Sequence, residues 1–291
     1  MKIATRSSKL ALRQVEIFQE KLNKPEIDYQ VIKQITEGDV RSASGESLFD
    51  KAYFVEDIET SLIEKKADVA IHSLKDMPSK DTNNLEIFAG IMHNNRSDIL
   101  LYTDENILKN IHKVKIGTSS LRRKRQCKYF LKNENVIEVR GNIDTRIQKL
   151  HAGEVEALIL AKAGIDRLGL KNNYIELDFL PAVGQGIIAV QCRSDDKEMK
   201  CLIGSIRDEQ MMHQIEIERL VVSKLDADCH SALSVLSEIK DQKFKLKVEI
   251  YGEEKFISES CEAELNIYEK KIDEFVNHLI KIGGKKILHD H

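Results

Sequence analysis

The segment IGTSSLRRKRQC, residues 116–127, places four basic side chains in the opening turns of a predicted helix. Ser119 or Ser120 is a good helix N-cap, which puts Arg122 and Arg123 in the first turn. Cations at that end oppose the helix macrodipole, at a cost of about 0.3–1 kcal/mol each. Free backbone N–H groups, hydroxyls and guanidinium groups together favour an anion-binding site. A solvated basic helix face is the alternative for this segment alone.

The same combination of hydroxyls and cations follows three other predicted strands. The segments are Arg6-Ser7-Ser8, Ser73-Leu74-Lys75-Asp76 and Arg140-Gly141-Asn142, with Arg146 one turn into the next helix. Ligands of open α/β sheets bind at the carboxyl ends of strands. Arginine predominates at these ends, which favours planar carboxylates or phosphates bound bidentately. The sequence therefore predicts a cleft for a small polyanion between two α/β domains.

Asp76 is a carboxylate within this cationic set. It would repel an anionic ligand unless the ligand also carries or develops positive charge. An acid/base group that handles a cationic intermediate is one interpretation, and an N-cap or a salt bridge to Lys75 is the other. His72 lacks a spaced set of His, Cys or Glu partners, so a core or strand-end histidine is favoured over a metal ligand.

The composition is that of a soluble globular protein with two or three domains. The chain has 291 residues, 42% hydrophobic residues and a net charge of −3, which argues against a general nucleic-acid binder. No apolar run reaches the roughly 18 residues that cross a bilayer, and no secretory signal is predicted at the start. The five cysteines are an odd number without a CxxC pair, which indicates reduced thiols in a cytosol.

Short apolar strands alternate with amphipathic helices through most of the chain, which predicts open, mostly parallel sheets with helices on both faces. The predicted strands are 2–5, 27–35, 68–72, 114–117, 136–139 and 157–161, and the predicted helices are 8–21, 53–65, 120–131 and 143–151. The pattern changes near Glu209. A helix over 211–224, strands over 233–239, 244–251 and 256–265, and a helix over 268–282 predict a small α+β domain. The Gly- and Ser-rich segment 36–51 is long for a loop and predicts a lid or a disordered segment.

Six motifs, in order, closely resemble the hydroxymethylbilane synthase family, also called porphobilinogen deaminases. They are IATRSSKLAL, HSLKDMPS, GTSSLRRKRQ, VRGNIDTRIQKL, AKAGIDRLGL and LPAVGQG. The resemblance extends from Lys2 to about Arg193. It implies an enzyme of tetrapyrrole (haem) biosynthesis, a transferase that joins four porphobilinogen molecules head to tail with release of ammonia. Hydrolysis then frees the linear product.

The resemblance also implies the fold and the domain boundaries. Two periplasmic-binding-protein-like α/β domains are expected, followed by a small C-terminal α+β domain. The first domain is expected to be discontinuous, over residues 1–93 and 187–206, with the second over 97–184 and the third over 209–291. A cytoplasmic monomer with no nucleic-acid or membrane partner is the expected form.

The family grows its chain on a covalently held dipyrromethane made from two porphobilinogen units, each of which carries an acetate and a propionate. The positions that match the family's cofactor contacts are Ser73, Lys75, Thr118, Ser120, Arg122, Arg123 and Arg146. Those that match its substrate contacts are Arg6, Ser8, Arg140, Arg167 and, in the lid, Lys51. Asp76 matches the catalytic carboxylate, which is expected to stabilise positive charge on the pyrrole nitrogen when ammonia leaves and the azafulvene forms.

Two regions depart from the family pattern. In the lid, Ser47 and Glu56 replace two lysines. In the third domain, the cofactor cysteine usually follows two glycines, whereas Cys229 here follows Ala227-Asp228. Cys229 still lies in a predicted loop after a helix, so it is expected to hold dipyrromethane through a thioether. The alternative is a buried apolar cysteine, and residues other than glycine there require ordinary φ values.

Two rival functions are weighed against the enzyme. The α/β domains alone resemble solute-binding proteins and regulator effector domains, which hold a small anion without altering it. Asp76 and a cysteine-bearing third domain count against that interpretation. A nucleic-acid binder using SLRRKRQ is the second rival. Overall acidity and the lack of aromatic stacking residues in that segment count against it.

Overall fold

The computed structural model describes residues 1–38, 53, 55–92, 95–227 and 231–289. The chain forms two compact units, Met1–Asn94 with Gly184–Glu216 and Asn95–Val183 with Ile217–His291. It returns to the first unit at Gly184, within the LPAVGQG motif. Gly184 has a φ of +64°, and a Cβ there would lie 2.6 Å from Cγ of Leu74. Both the backbone angle and the close packing therefore require glycine at this turn.

The described residues contain three sheets. The strands are β1 (Lys2–Arg6), β2 (Gln30–Gln34), β3 (Val69–Ser73), β4 (Leu85–Met92), β5 (Asp98–Tyr102), β6 (Ile116–Gly117), β7 (Val136–Ile137), β8 (Ala157–Ala161), β9 (Asn173–Leu177), β10 (Ile187–Arg193), β11 (Leu233–Lys240), β12 (Lys243–Tyr251) and β13 (Phe256–Glu264). Their orders are β2-β1-β3-β10-β4, β7-β6-β8-β5-β9 and β11-β12-β13.

The helices alternate with the strands through both α/β sheets, as predicted. They are α1 (Lys9–Leu22), α2 (Glu56–Ile63), α3 (Leu121–Gln126), α4 (Ile143–His151), α5 (Lys162–Arg167), α6 (Lys197–Ile203), α7 (Glu209–Leu225), α8 (Tyr268–Lys281) and α9 (Gly284–His289). A 3-10 turn, Leu74–Asp76, follows β3, and a π-helical segment, Cys127–Leu131, extends α3. No helix in these ranges has both the length and the apolar character that a membrane span requires.

Both α/β sheets are mostly parallel, as predicted, but each contains one strand that runs opposite to the other four. In the first sheet β1 pairs in parallel with β2 and β3, but β10 lies antiparallel between β3 and β4. In the second, β6 pairs in parallel with β7 and β8, while β5 lies antiparallel between β8 and β9. A strand buried on both faces has the same apolar composition in either direction, so composition alone could not give its orientation.

Helix α1 shows why these elements form where the sequence predicts them. The hydroxyl of Ser8 accepts a hydrogen bond from the backbone N–H of Ala11 at 3.3 Å, and Asn23 ends the helix in the left-handed conformation. Val15 and Phe18 lie on the buried face, at helical spacing. Each such side chain stabilises the fold by about 1.5–3 kcal/mol on burial. Because Ser8 lies only two residues after the end of β1, this cap also fixes the chain near the carboxyl end of that strand.

The small C-terminal sheet is antiparallel throughout, as the predicted α+β domain requires. Its strands pair β11 with β12 and β12 with β13. Side chains of Val235, Leu246 and Val248 pack with Ile272 and Phe275 of α8 in one apolar cluster. The fold class is therefore the predicted one: two α/β sheets and a small α+β domain.

Candidate active site

The first group of predicted site residues lies at one edge of the first sheet. Strands β1 and β3 run in parallel, with Ile3 opposite Val69, so their carboxyl ends meet at the same edge. Arg6 ends β1, and Ser73 ends β3. The turn after β3 carries Lys75. The structure thus brings together two of the four predicted strand ends.

Buried contacts hold the turn that carries Asp76. Gln14 of α1 donates a hydrogen bond from Nε2 to the hydroxyl of Ser73 at 2.8 Å. Leu74 is 4% exposed and packs in the apolar cluster of this unit. The backbone N–H of Met77 donates to the carbonyl of Leu74 at 3.0 Å, closing the turn. Asp76 therefore lies in a turn that hydrogen bonds and a buried side chain hold in place, and not in an irregular loop.

The carboxylate of Asp76 is half-buried, and within the described part of the chain it has neither an ion pair nor a hydrogen bond. Ser73, not Asp76, occupies the N-cap position of the 3-10 turn. The alternative interpretation, an N-cap or a salt bridge to Lys75, is not observed among these residues. The carboxylate remains able to interact with a positive charge brought by a ligand.

The second group lies at one edge of the second sheet. Strands β7 and β8 both pair in parallel with β6, so three carboxyl ends meet there. The hydroxyl of Thr118 accepts from the backbone N–H of Ser120 at 3.2 Å, and the hydroxyl of Ser120 accepts from that of Arg123 at 3.5 Å. Ser120 is thus the N-cap, as predicted, and α3 begins at this edge with its basic residues in the first turn.

Arg122 and Arg123 are both buried, and both bind Asp98 at the start of β5. Arg122 donates from Nη2 to Asp98 Oδ2 at 2.8 Å. Arg123 donates to Asp98 Oδ1 from Nη2 at 2.7 Å and from Nε at 3.1 Å. The Nη1 atom of Arg122 also donates to Oε1 of Gln126 at 2.6 Å and to the carbonyl of Leu180 at 2.9 Å.

The electrostatics of this triad are dominated by its burial. Burial raises the pKa of the Asp98 carboxyl, but the charges of Arg122 and Arg123 outweigh it and hold that pKa well below its ordinary value. Burial also lowers the pKa of Arg122, and Asp98 partly offsets this. A buried charge of either sign is stable only with such partners. The triad keeps two arginines charged and fixed at the beginning of α3.

Three further arginines of the prediction also lie in this unit. Arg140 binds Glu138 through Nη2 at 2.6 Å and through Nε at 2.7 Å. Arg146 donates from Nε to the carbonyl of Gly141 at 2.6 Å. Arg167, on α5 after β8, is 7% exposed, and burial lowers its pKa to about 10. The second edge is therefore strongly cationic, and each of these arginines is half-buried or buried.

Asp98, which binds two of the predicted site arginines, was not predicted from the sequence. It begins the apolar strand DILLY and is fully buried. A signal was available, because an acidic residue beside a buried apolar strand needs a cation. The partners lie 24 and 25 residues away, and no local spacing connects them.

Two predicted site residues, Lys51 of the lid and Cys229 of the third domain, lie outside the described residues. The chain is described up to Ala227, which is buried. Asp226, just before it, has a φ of +56° and pairs with Lys285 at 3.4 Å. A cavity of about 610 Å³ in the second unit is lined by other residues, Phe130, Phe179 and Lys247 among them, and by none of the predicted site residues.

The family model and the sequence relatives agree on one family. The family model described as porphobilinogen deaminase, dipyromethane cofactor binding domain, matches residues 1–201. A porphobilinogen deaminase of Coxiella burnetii is 39% identical over 253 residues, covering 84% of this chain and 81% of the relative. A probable porphobilinogen deaminase of Saccharolobus islandicus is 37% identical over 247 residues, covering 84% of each. Among solved structures, the methionine binding protein MetQ matches with a TM-score of 0.47 at 10% identity, over 75% of this chain and 96% of that one.

Proposed function

Since the chain belongs to the porphobilinogen deaminase family, we propose that it joins four porphobilinogen molecules head to tail and releases linear hydroxymethylbilane. The enzyme is a transferase of tetrapyrrole biosynthesis, and its cofactor is dipyrromethane. The assignment of roles to individual residues is our own proposal. It rests on one observation above the others: Asp76 is a half-buried carboxylate at a cationic strand end, with no ion pair or hydrogen bond among the described residues.

Asp76 is proposed to act on the substrate when its carbon–nitrogen bond breaks. Loss of ammonia from the aminomethyl group leaves a positive charge that the pyrrole nitrogen shares. A fixed carboxylate stabilises that charge as it develops and costs no reorganisation. The same carboxylate stabilises the cation formed when the methylene carbon bonds to the free α-carbon of the growing chain, before the proton is lost. Each condensation thus releases one ammonia.

The cationic strand ends are proposed to bind carboxylates. Arg6, Ser8, Arg140 and Arg167 would hold the acetate and propionate of the incoming porphobilinogen, with Lys51 in the lid. Arginine suits this role because its planar fork binds a carboxylate bidentately. Burial strengthens each such contact, because it lowers the local dielectric.

Dipyrromethane, when bound, supplies the α-carbon to which the first substrate is joined, and its own carboxylates need cationic partners. The hydroxyls and cations at the two sheet edges fit such a group. The residues proposed to hold it are Ser73, Lys75, Thr118, Ser120, Arg122, Arg123 and Arg146. In both Arg122 and Arg123 the two terminal nitrogens donate to protein groups. Their proposed contribution is therefore mainly the positive charge that they keep at this edge. Cys229 is proposed as the covalent attachment site.

The remaining assignments follow the same reasoning. We propose that the chain acts as a cytoplasmic monomer. We also propose that it has no nucleic-acid partner, which its net charge of −3 supports. We also propose three domains, over residues 1–93 with 187–206, over 97–184, and over 209–291. The parallel pairing of β1 with β3, and of β6 with β7 and β8, supports two separate anion-binding edges.

The intact mass of purified protein, together with ammonia release from porphobilinogen, tests the function. We expect a covalent adduct with the mass of two pyrrole units, and ammonia release in proportion to the porphobilinogen consumed. A protein with the bare sequence mass that binds porphobilinogen but leaves it unchanged would be an anion-binding module. That result would overturn the proposal.

A further inference from the structure

A buried network of hydrogen bonds runs through the first unit to His72, two residues before the proposed catalytic turn Leu74–Asp76. Thr82 donates from its hydroxyl to Oε2 of Glu59 at 2.6 Å. Gln191 donates from Nε2 to Oε1 of the same carboxylate at 2.6 Å. The other end of the Gln191 amide, Oε1, lies 3.1 Å from Nε2 of His72. Glu59, Gln191 and His72 are 6%, 0% and 5% exposed.

The direction of each hydrogen bond in this network follows from the chemistry of the Glu59 carboxylate. A carboxylate only accepts hydrogen bonds, so the side of the Gln191 amide that faces Glu59 must be the NH₂ group. The carbonyl oxygen of Gln191 must then face His72. Because a carbonyl oxygen also only accepts, Nε2 of His72 must carry the proton. In the neutral ring this leaves Nδ1 without a proton, and among the described residues Nδ1 has no hydrogen-bond partner.

We propose that Glu59, acting through Gln191, locks His72 in the neutral tautomer with its proton on Nε2, so that β3 presents an uncharged imidazole two residues before the turn that carries Asp76. His72 is then a positioning residue that keeps the charge of Asp76 available. This inference rests on the proposed function, because its purpose is to spare the carboxylate for a cationic intermediate.

The charged groups around the ring explain why neutrality matters. Burial lowers the pKa of His72 to about 4, and Arg6 on β1 adds to the lowering, whereas the Gln191 contact and Asp76 oppose it. Asp76 is therefore close enough to favour a charged ring. A protonated His72 would share that carboxylate and repel the positive charge of the substrate. Burial and the lock together prevent this near neutral pH.

The test is ¹⁵N NMR of histidine-labelled protein from pH 4 to 8, in the absence of porphobilinogen. The signal of His72 is identified among the nine histidines by its loss in His72→Asn. We expect one protonated nitrogen, Nε2, and a titration midpoint below about pH 5. A ring protonated on Nδ1, or a midpoint near the ordinary 6.5, would overturn the proposal.

Three variants separate the lock from ordinary packing. Glu59→Gln replaces a group that can only accept hydrogen bonds with one that can also donate. The Gln191 amide can then flip, and both neutral tautomers of His72 should be populated. Gln191→Glu places a second carboxylate against Nε2, and the His72 midpoint should rise above 6.5. The acid limb of kcat should move upward with it. Thr82→Val is the matched control, because it removes a contact to Glu59 on the side away from His72, and both readouts should stay as in the parent.

Unchanged tautomers in Glu59→Gln, or an acid limb in Gln191→Glu that ignores the new midpoint, would contradict the positioning role. The NMR readout needs no substrate. Absence of porphobilinogen turnover in the parent protein would therefore refute the proposed function separately, while the tautomer is still decided by the spectrum.

Discussion

The carboxylate of Asp98 accepts two hydrogen bonds from the guanidinium of Arg123, from Nη2 at 2.7 Å and from Nε at 3.1 Å. The second oxygen of Asp98 binds Arg122 at 2.8 Å. Two cations are therefore stable at the positive end of a helix because one buried anion lies between them. The triad keeps one net positive charge at this sheet edge. The unfavourable macrodipole term of about 0.3–1 kcal/mol for each arginine is small beside these contacts.

Asp98→Asn should destabilise the protein strongly, because it leaves two buried guanidinium groups without their anion. Removing one partner of a buried ion pair costs about 3–5 kcal/mol in the free energy of unfolding. Urea unfolding at pH 7 measures the change. Glu138→Gln is the matched control: it removes the acidic partner of Arg140, but Glu138 is 48% exposed, so the cost should stay under about 1 kcal/mol. Equal losses of unfolding free energy in the two variants would mean that the buried triad contributes no more to stability than an exposed ion pair.

Much of the fold and part of the site could be predicted from local sequence patterns. The N-cap at Ser120 and the alternation of strands and helices depend on contacts within a few residues, which spacing reveals. The convergence of basic strand ends follows from one general property of parallel strands. Helix α4 was predicted with the bounds that it has in the structure.

What could not be predicted depends on pairing between distant segments. Asp98 meets Arg123 over 25 residues, and His72 meets Gln191 over 119. The antiparallel insertion of β10 between β3 and β4 is of the same kind, since its apolar sequence suits either direction. Such pairings are set by the packing of the whole sheet, and no local period encodes them.

Asp76→Asn should keep the fold and remove the charge that stabilises the cationic intermediate. We expect kcat to fall by about 10²–10⁴-fold, as is typical for a lost acid–base group. Steady-state assays with porphobilinogen measure the loss, with circular dichroism to confirm folding. Asp81→Asn is a matched control, since it removes an exposed carboxylate five positions along the same segment and should leave kcat unchanged. Near-normal turnover of folded Asp76→Asn would rule out the assignment.

The buried neutral His72 should make the protein sensitive to moderate acid. Its folded pKa, about 4, is below the ordinary 6.5, so the unfolded chain binds more protons between these values. Stability is therefore complete above about pH 6.5 and falls as the pH falls toward 4, by about 3 kcal/mol from this residue. Urea unfolding at several pH values measures the slope. His72→Gln should have a shallower slope in this window, and an unchanged slope would contradict a neutral buried ring.

Replacing different arginines of the second edge by leucine should block different steps of the reaction. Arg146→Leu should give protein without the covalent adduct, because a cofactor contact is lost. Arg140→Leu should assemble the adduct but stall with partial chains attached, because a substrate contact is lost. Intact mass spectrometry after incubation with porphobilinogen distinguishes the two outcomes. Lysine should rescue either variant poorly, because it cannot form the bidentate fork. Normal adducts and normal turnover in both leucine variants would indicate that this basic edge is only solvated and binds no carboxylate.

The thioether is expected at Cys229, and the described cysteines explain why few alternatives exist. The thiolate is the reactive form of cysteine. Burial raises the pKa of Cys127 to about 12 and that of Cys192 to about 11, and it also raises the pKa of Cys261. These three thiols are therefore poor nucleophiles near neutral pH. Cys201 is exposed and is the realistic competitor.

Peptide mapping of protein reconstituted with porphobilinogen should place the adduct on the peptide that contains Cys229. Asp228, next to it in the sequence, disfavours a thiolate by like charge, so attachment should be slower at low pH and faster as the pH rises toward 8. Cys229→Ser should have the bare sequence mass and no turnover, whereas the matched control Cys201→Ser should load and turn over like the parent. An adduct on Cys201, or an active Cys229→Ser protein, would move the attachment site. A complete absence of adduct and turnover in the parent would indicate a chain that kept the cationic edges but lost the synthase chemistry.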